Sequence, residues 1–403
     1  MNPALARLGV LFCLLLAAVV APAASAAGPE ATRRALAREM AGAGAASGAF
    51  VVDPDSGAEL FASRDGVQRM PASVEKLYVS AAALRRLGAE ARFSTDALAG
   101  VPPDPLGVVN GNLYLRGSGD PYLSSIDIAR LADRVQAAGV KRVTGRVLGD
   151  ETGFDLLRGV PSSAFRLTAE TGPLSALVVN HGRTGMAVPY FQATPARFAA
   201  RSFATALRAR GVSVRATGGA GITPANAVPL SAWESAPLAD LLRLQNRPSD
   251  NFMSEMLIKA LGARFGGAGS TAAGAAVVRA ELAAFGVAPR IVDGSGLSRQ
   301  DRTSPREVVG MLSGMKDDAA FTGSLPVAGR SGTLMSRMRG TPAQDRCRAK
   351  TGTLRDVSAL AGYCTTVGGE RVAFAFLMNS VYPSSARAVQ DRMTVALARY
   401  DAP

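Results

Sequence analysis

Ser73 and Lys76, in Pro71-Ala72-Ser73-Val74-Glu75-Lys76, set a hydroxyl three residues before an amine. On a helix these positions share a face, one turn apart. A lysine in a dry pocket gives up its proton more readily, so Lys76 could serve as base and Ser73 as nucleophile. The run that follows, Leu77 to Leu87, is mostly apolar and stopped by Gly88, which predicts a helix. Pro71 is tolerated at a helix's first turn. Ser73 is therefore expected at a helix N-terminus, where unpaired N–H groups and the positive dipole end favour developing negative charge. The same spacing also arises by chance, and a serine at such a place is often only a cap. Lysine usage argues for chemistry. Of 45 lysines plus arginines only Lys76, Lys141, Lys259, Lys316 and Lys350 are lysines. Where arginine serves nearly every positive charge, a retained lysine suggests proton transfer, which arginine cannot perform.

Ser249-Asp250-Asn251 is the only Ser-x-Asn in the chain. Two apart in a loop, its hydroxyl and carboxamide could relay a proton and hold a substrate amide. It is also an ordinary cap for a helix starting at Asn251. Lys350-Thr351-Gly352-Thr353 is the third group. Read as a strand, it puts Lys350 and Gly352 on one face. Glycine would let a substrate backbone lie close, and Lys350 with Thr351 or Thr353 could grip a carboxylate. Two stretches are decoys. Ser313-Gly314-Met315-Lys316 repeats the first spacing at an expected helix C-terminus, with Gly314 as the stop, where carbonyls and the negative dipole end oppose an oxyanion. Arg330-Ser331-Gly332-Thr333 mimics the third group with arginine in the lysine's place.

The chain has 403 residues, 48% hydrophobic, and a formal net charge of +13, enough for two or three domains. Residues 1–26 read as a signal peptide: Arg7, an apolar run from Val10 to Val20, and the small residues Ala24-Ser25-Ala26. That run is too short to span a membrane, and no later stretch is long and apolar enough. The mature chain is expected to begin near Ala27 and to work in the periplasm or at the envelope exterior. There its charge would attract polyanions such as wall polymers, or simply form a solvated arginine-rich surface. No nucleic-acid motif is present. Cys347 and Cys364 would face each other across a hairpin turning at Leu354 to Val357, as a disulfide or as two buried thiols. The single histidine, His181, reads as a turn residue. A Ser-His-Asp site would have to use it, and zinc sites lack ligands, so neither metal nor cofactor is expected.

Helix patterns cover residues 29–42, 126–138, 196–210, 237–245, 251–261, 272–284, 305–313 and 386–400; strand patterns cover 48–52, 59–62, 113–116, 143–148, 187–191 and 372–379. Between about residues 94 and 235, short strands alternate with turns such as Val101 to Pro105. This block reads as an inserted α+β domain within a domain formed by residues 27–93 and 236–403. The Ser73 helix precedes the insertion and the other two groups follow it.

On helix, loop and strand, in this order, the three groups resemble the active-serine signature of penicillin-binding proteins and β-lactamases. Gly117 to Pro121, Asp293 to Arg299, Ser324 to Gly329 and Ser331 to Leu334 extend the likeness over nearly all of the mature chain. They are similar to the D-Ala-D-Ala carboxypeptidase/endopeptidase family of class C low-molecular-mass penicillin-binding proteins, the penicillin-binding protein 4 type. The resemblance implies an α+β, penicillin-binding-protein/β-lactamase-like serine transpeptidase fold: an antiparallel sheet flanked by helices, interrupted by an inserted α+β domain that is compact for the family. It implies hydrolysis of peptidoglycan stem peptides ending in D-Ala-D-Ala, of cross-links, or of both, through an acyl-enzyme on Ser73, and covalent binding of β-lactam antibiotics. Lys76 would take the proton of Ser73, and the N–H groups of Ser73 and Thr353 would form the oxyanion hole. Ser249 would pass a proton to the leaving amine, tuned by Lys350. Asn251 would hold the peptide; Lys350, Thr351 and Thr353, around Gly352, would bind the carboxylate. Two rivals remain. A β-lactamase commonly needs a glutamate-held water, and Glu170 to Leu174 only faintly resembles that motif. A catalytically silent peptidoglycan-binding protein would rely on the inserted domain and the arginine-rich surface.

Overall fold

The computed structural model describes residues 27–185 and 190–402, and two β-sheets organise them. The first has five antiparallel strands in the spatial order Glu59–Ser63, Ser47–Val52, Arg371–Asn379, Val357–Thr365, Cys347–Leu354. Side chains alternate between faces along a strand, and here both faces are covered. Phe374, Phe376 and Met378 pack with Leu36 and Met40 of the Pro29–Ala41 helix and with Met393 and Leu397 of the Pro383–Ala398 helix. Ala373, Ala375 and Leu377 face a larger core. That core is filled by the Lys76–Leu87, Asn251–Phe265 and Pro305–Met315 helices. The Lys76–Leu87 helix is buried continuously from Lys76 to Leu84. It is a central helix with no solvent face over that length, which is why its apolar residues form no narrow stripe.

The second sheet draws its six strands from residues 94–234. Its main path runs Val108–Val109, Arg142–Asp150, Leu113–Gly117, Ser94–Ala99, Val228–Glu234, and Ser213–Ala220 pairs with Arg142–Asp150. The Ser125–Ala137 and Pro195–Arg208 helices bury Leu131, Val135, Phe203 and Leu207 against Ala97, Leu113 and Leu115. Between the two cores runs the stretch from residue 151 to 178. Its Phe154, Val160, Leu174, Ala176 and Val178 pack into the core of the first body.

The strands Ser94–Ala99, Val108–Val109, Ser213–Ala220 and Val228–Glu234 and the short helix Ala319–Ser324 have no matching sequence pattern above. Ser213–Ala220 is polar and carries two glycines, so only its pairing with Arg142–Asp150 makes it a strand. The decoy helix runs one residue past Gly314, to Met315. The expected signal peptide lies outside the described residues, as do residues 187–189 of the strand expected at 187–191. Among the described residues, no helix is long and apolar enough to cross a membrane.

In the hairpin, Cys347 lies opposite Cys364, Lys350 opposite Ala361 and Gly352 opposite Ala359. The two cysteines are bonded as a disulfide, with a sequence separation of 17. Closing a loop of that size stabilises by about 3 kcal/mol through the entropy of the unfolded chain. The double variant Cys347→Ser/Cys364→Ser is therefore expected to lose about 3 kcal/mol in guanidinium melts. Reduction of the parent protein is expected to produce the same loss.

Candidate active site

Ser73 sits in a 3-10 turn, Ala72–Glu75, that runs directly into the Lys76–Leu87 helix. It lies just ahead of the α-helix, at its N-terminal end. Ala72 has φ +47°, a left-handed conformation costly for an L residue. The turn is clamped in that shape from above. A Cβ on Gly296 would lie 2.0 Å from the Ala72 carbonyl oxygen, so only glycine lets the Asp293-to-Ser298 loop press on it.

Lys76 is fully buried and its Nζ has three partners. It donates to Ser73 Oγ at 2.8 Å, to Asn251 Oδ1 at 2.7 Å and to the Ser295 carbonyl at 2.6 Å. These use all three N–H bonds of an ammonium. Asn251 is in reach because Asp250 caps its helix, accepting from the Met253 N–H at 2.9 Å. Ser249, with φ +66°, turns its hydroxyl back toward the hairpin and accepts from Lys350 Nζ at 2.7 Å. Lys350 also donates to the Thr351 carbonyl at 2.8 Å. The hydroxyl-amine pair, the Ser-x-Asn loop and the Lys-Thr-Gly strand therefore converge on one place.

Cys347–Leu354 is the free edge of its sheet. The Ala349 N–H points away from the neighbouring strand, to the Pro326 carbonyl at 2.9 Å. By the two-residue period the N–H groups of Thr351 and Thr353 point the same way, toward the cleft. Gly352 has a reason other than the one its sequence suggested. A Cβ there would lie 2.6 Å from the Pro71 carbonyl and 3.1 Å from the Ser73 nitrogen. The close neighbour is the Ser73 turn itself, so the strand residue before Thr353 packs directly on the backbone of Ser73. The cleft, about 480 Å³, is lined by Ser73, Ser249, Asn251, Thr351, Thr353 and, from beyond the strand, Arg387. Lys350 is wholly buried and directed at Ser249, so it does not line the cleft as a carboxylate-gripping cation would.

Burial sets the protonation of the amines. It pulls Lys76 down to about 8, against the attraction of Asp293, Glu255, Asp250 and Glu75. Lys350 is pushed well below the ordinary lysine range, by burial and then by the charge of Lys76. Four carboxyl groups lie beneath. Burial, then the charge of Asp293, raises Glu255 to about 8; burial, then the charges of Glu75 and Asp293, raises Asp301 to about 11. Burial lifts Glu75 well up and Asp293 upward. Three of them shape the loop over the site. Glu255 Oε1 accepts from the N–H groups of Gly294 and Ser295, Asp293 from those of Gly296 and Ser298, and Asp301 from that of Val292. Their joint effect is to aim the Ser295 carbonyl at Lys76.

The decoys behave differently. Lys316 Nζ pairs with Asp55 and Asp317 at 2.7 and 2.8 Å, away from the cleft. The Arg330-to-Thr333 stretch does reach the site, where the Thr333 hydroxyl meets that of Thr351 at 2.8 Å. His181 is a turn residue, φ +53°, but its ring stacks edge-on to Tyr122 and against Phe252, and its Nε2 lies 3.8 Å from Asp250 Oδ2. Burial lowers its pKa, against the pull of Asp250. Glu170 lines an adjoining pocket with His181 and Asp250, which shares Ser249 and Asn251 with the cleft but not Ser73. The sequence assigned no role to the Ser295 carbonyl, Glu255 or Arg387. Only the Asp293-to-Arg299 stretch, already notable for its glycines, pointed toward one of them.

Comparison with known proteins follows the same lines. The model of the D-Ala-D-Ala carboxypeptidase 3 (S13) family matches residues 34–193 and 184–400. A D-alanyl-D-alanine carboxypeptidase from Actinomadura sp. (strain R39) is 34% identical, over 89% of this chain and 82% of that one. Carboxypeptidase DacB of Mycolicibacterium smegmatis is 32% identical, over 90% and 83%. The alignment with the Actinomadura protein extends over 443 positions, more than the 403 residues here, so segments present there have no counterpart in this chain. Among solved structures, penicillin binding protein 4 from Haemophilus influenzae superposes with a TM-score of 0.78 at 20% identity, over 91% of this chain and 99% of that one. A peptidoglycan endopeptidase from Bdellovibrio bacteriovorus gives 0.55 at 17%, over 83% and 86%. At such identities the superpositions establish the fold.

The contact at Gly352 yields a test. Gly352→Ala is expected to force the Cys347–Leu354 strand off the Ser73 turn. A displacement of about 1 Å should slow reaction of Ser73 with a labelled β-lactam by roughly 100-fold, while far-ultraviolet dichroism stays that of the parent.

Proposed function

The chain belongs to the D-Ala-D-Ala carboxypeptidase 3 (S13) family and is a serine-type D-Ala-D-Ala carboxypeptidase, and from that premise we propose that it works through an acyl-enzyme on Ser73. The observation that carries the assignment is the buried Lys76 amine, 2.8 Å from the Ser73 hydroxyl. Neutral Lys76 takes the proton of Ser73 Oγ, which attacks the carbonyl carbon between the two D-alanines. The N–H groups of Ser73 and Thr353 stabilise the oxyanion. As the C–N bond breaks, Ser249 passes a proton to the departing amine, and Lys350, at 2.7 Å, holds and recharges that hydroxyl. Asn251 orients the peptide amide. The hydroxyls of Thr351 and Thr353 receive the terminal carboxylate. The position of Lys350 favours the tuning role over a direct grip. Water then cleaves the ester and frees Ser73.

The substrate we infer is a peptidoglycan stem peptide ending in D-Ala-D-Ala, with cross-links of the same stereochemistry a further target, and β-lactams acylating the same serine. We also propose export to the periplasm, with residues 1–26 as the leader, and a catalytic unit of residues 27–93 and 236–403 interrupted by residues 94–235. The carboxylate lining the Ser73 cleft, Asp391, is held by Arg337 at 2.7 Å. It is therefore badly placed to activate water against a penicilloyl ester, which argues for slow release and against a β-lactamase.

Two experiments test the assignment. With fluorescent penicillin, the parent protein should label on Ser73 and stay labelled, and Ser73→Ala should not label; a mutant that labels as strongly as the parent sinks the reading. Acylation should also depend on pH through Lys76. The amine must be neutral to accept a proton, and its pKa is pulled down to about 8. The rate should rise from pH 6, reach half its plateau near pH 8, level off above about pH 9, and be lost in Lys76→Arg, whose guanidinium stays charged.

A further inference from the structure

The cleft beside Ser73 is rich in hydroxyls, yet the lysine expected to supply its positive charge does not face it. Lys350 is buried, bound to Ser249 and to the Thr351 carbonyl, and held toward its neutral form. A carboxylate arriving at Thr351 and Thr353 would need its countercharge from elsewhere.

Arg387 stands where that charge is needed. It lies in the second turn of the Pro383–Ala398 helix, which packs under the sheet and ends its first turns beside the edge strand. The residue is exposed, lines the same cleft as Ser73, and donates from Nη2 to Thr353 Oγ1 at 3.1 Å. The other charges on this wall cancel. Arg337 binds Asp391 through Nη2 at 2.7 Å and Nε at 2.9 Å. Asp391 is one turn from Arg387 on the same helix, and its engagement by Arg337 keeps it from neutralising Arg387. Among the described residues Arg387 makes no ion pair; its side-chain partner is a neutral threonine hydroxyl.

We propose that Arg387 is a substrate-binding residue that receives the terminal carboxylate of the peptide, together with the hydroxyls of Thr351 and Thr353. A guanidinium presents a planar fork that fits a carboxylate bidentately, a geometry a lysine ammonium lacks. Thr353 is the bridge: its oxygen accepts from Arg387, so its proton is directed away from the guanidinium and available to the carboxylate. The inference deepens the acyl-enzyme reading and rests on it. It makes the free C-terminal carboxylate a specificity element of this chain, read by a residue 34 positions beyond Thr353 on a different element.

The test compares hydrolysis of diacetyl-L-lysyl-D-alanyl-D-alanine with that of its C-terminal carboxamide. The parent should prefer the carboxylate in kcat/KM, and rising salt should erode that preference, since the cation is exposed. In Arg387→Ala the preference should shrink by roughly tenfold and lose its salt dependence; Arg387→Lys should recover part of it. An Arg387→Ala enzyme that discriminates between the two peptides as well as the parent, at all salt concentrations, overturns the proposal. Ser73→Ala separates this outcome from failure of the premise. If that variant still hydrolyses both peptides, the acyl-enzyme reading is what has failed.

Discussion

A lysine amine without access to water is the constraint on which the site depends. Moving an ammonium out of water costs several kcal/mol, and a fall of the pKa from 10.5 to about 8 corresponds to roughly 3 kcal/mol against the charged form. The amine is kept usable by three acceptors: a hydroxyl, a carboxamide and a carbonyl. Fewer partners would leave buried polar hydrogens unpaired and the amine free to turn away from Ser73. Each acceptor comes from a different part of the chain, so the burial of one nitrogen ties the Ser73 turn, the Asn251 helix and the Ser295 loop into one geometry.

The support for that geometry is largely backbone. Gly296 and Gly352 admit two segments onto the Ser73 turn, at distances where any side chain would collide. Carboxylates below the site spend their oxygens on the N–H groups of the Asp293-to-Ser298 loop. The acids thus act twice, by hydrogen-bonding the loop in shape and by opposing the loss of charge at Lys76. Burial raises their own pKa values, so the cluster does not carry four full negative charges beside one lysine.

The same edge strand explains the division of labour between the two cations of the hairpin region. Lys350 is buried and reaches Ser249, while Arg387 approaches from the Pro383–Ala398 helix and reaches Thr353. One is desolvated and suited to moving protons. The other is solvated, permanently charged and suited to recognition. A chain with five lysines and forty-five cationic side chains in all has placed a lysine where a proton must move and an arginine where a charge must stay.

The residues of the site were legible in the sequence because their types are rare and their spacing follows local geometry. Ser73 with Lys76 depends on a helical turn, Lys350 with Gly352 on strand period, and Cys347 with Cys364 on hairpin register, all short-range rules. What stayed hidden lacks a local signal. The Ser295 carbonyl is a backbone group, identical in every residue type, and meets Lys76 across 219 positions. Gly352 announced a close approach without saying to what, and the direction of Lys350 depends on Ser249, brought within 2.7 Å across 101 positions. Arg387 is one arginine among many until the helix is docked. Residue type and spacing determine which chemistry is possible; packing of distant segments decides which groups face it, because hydrogen bonds and burial act over a few ångströms in space, whatever the distance along the chain.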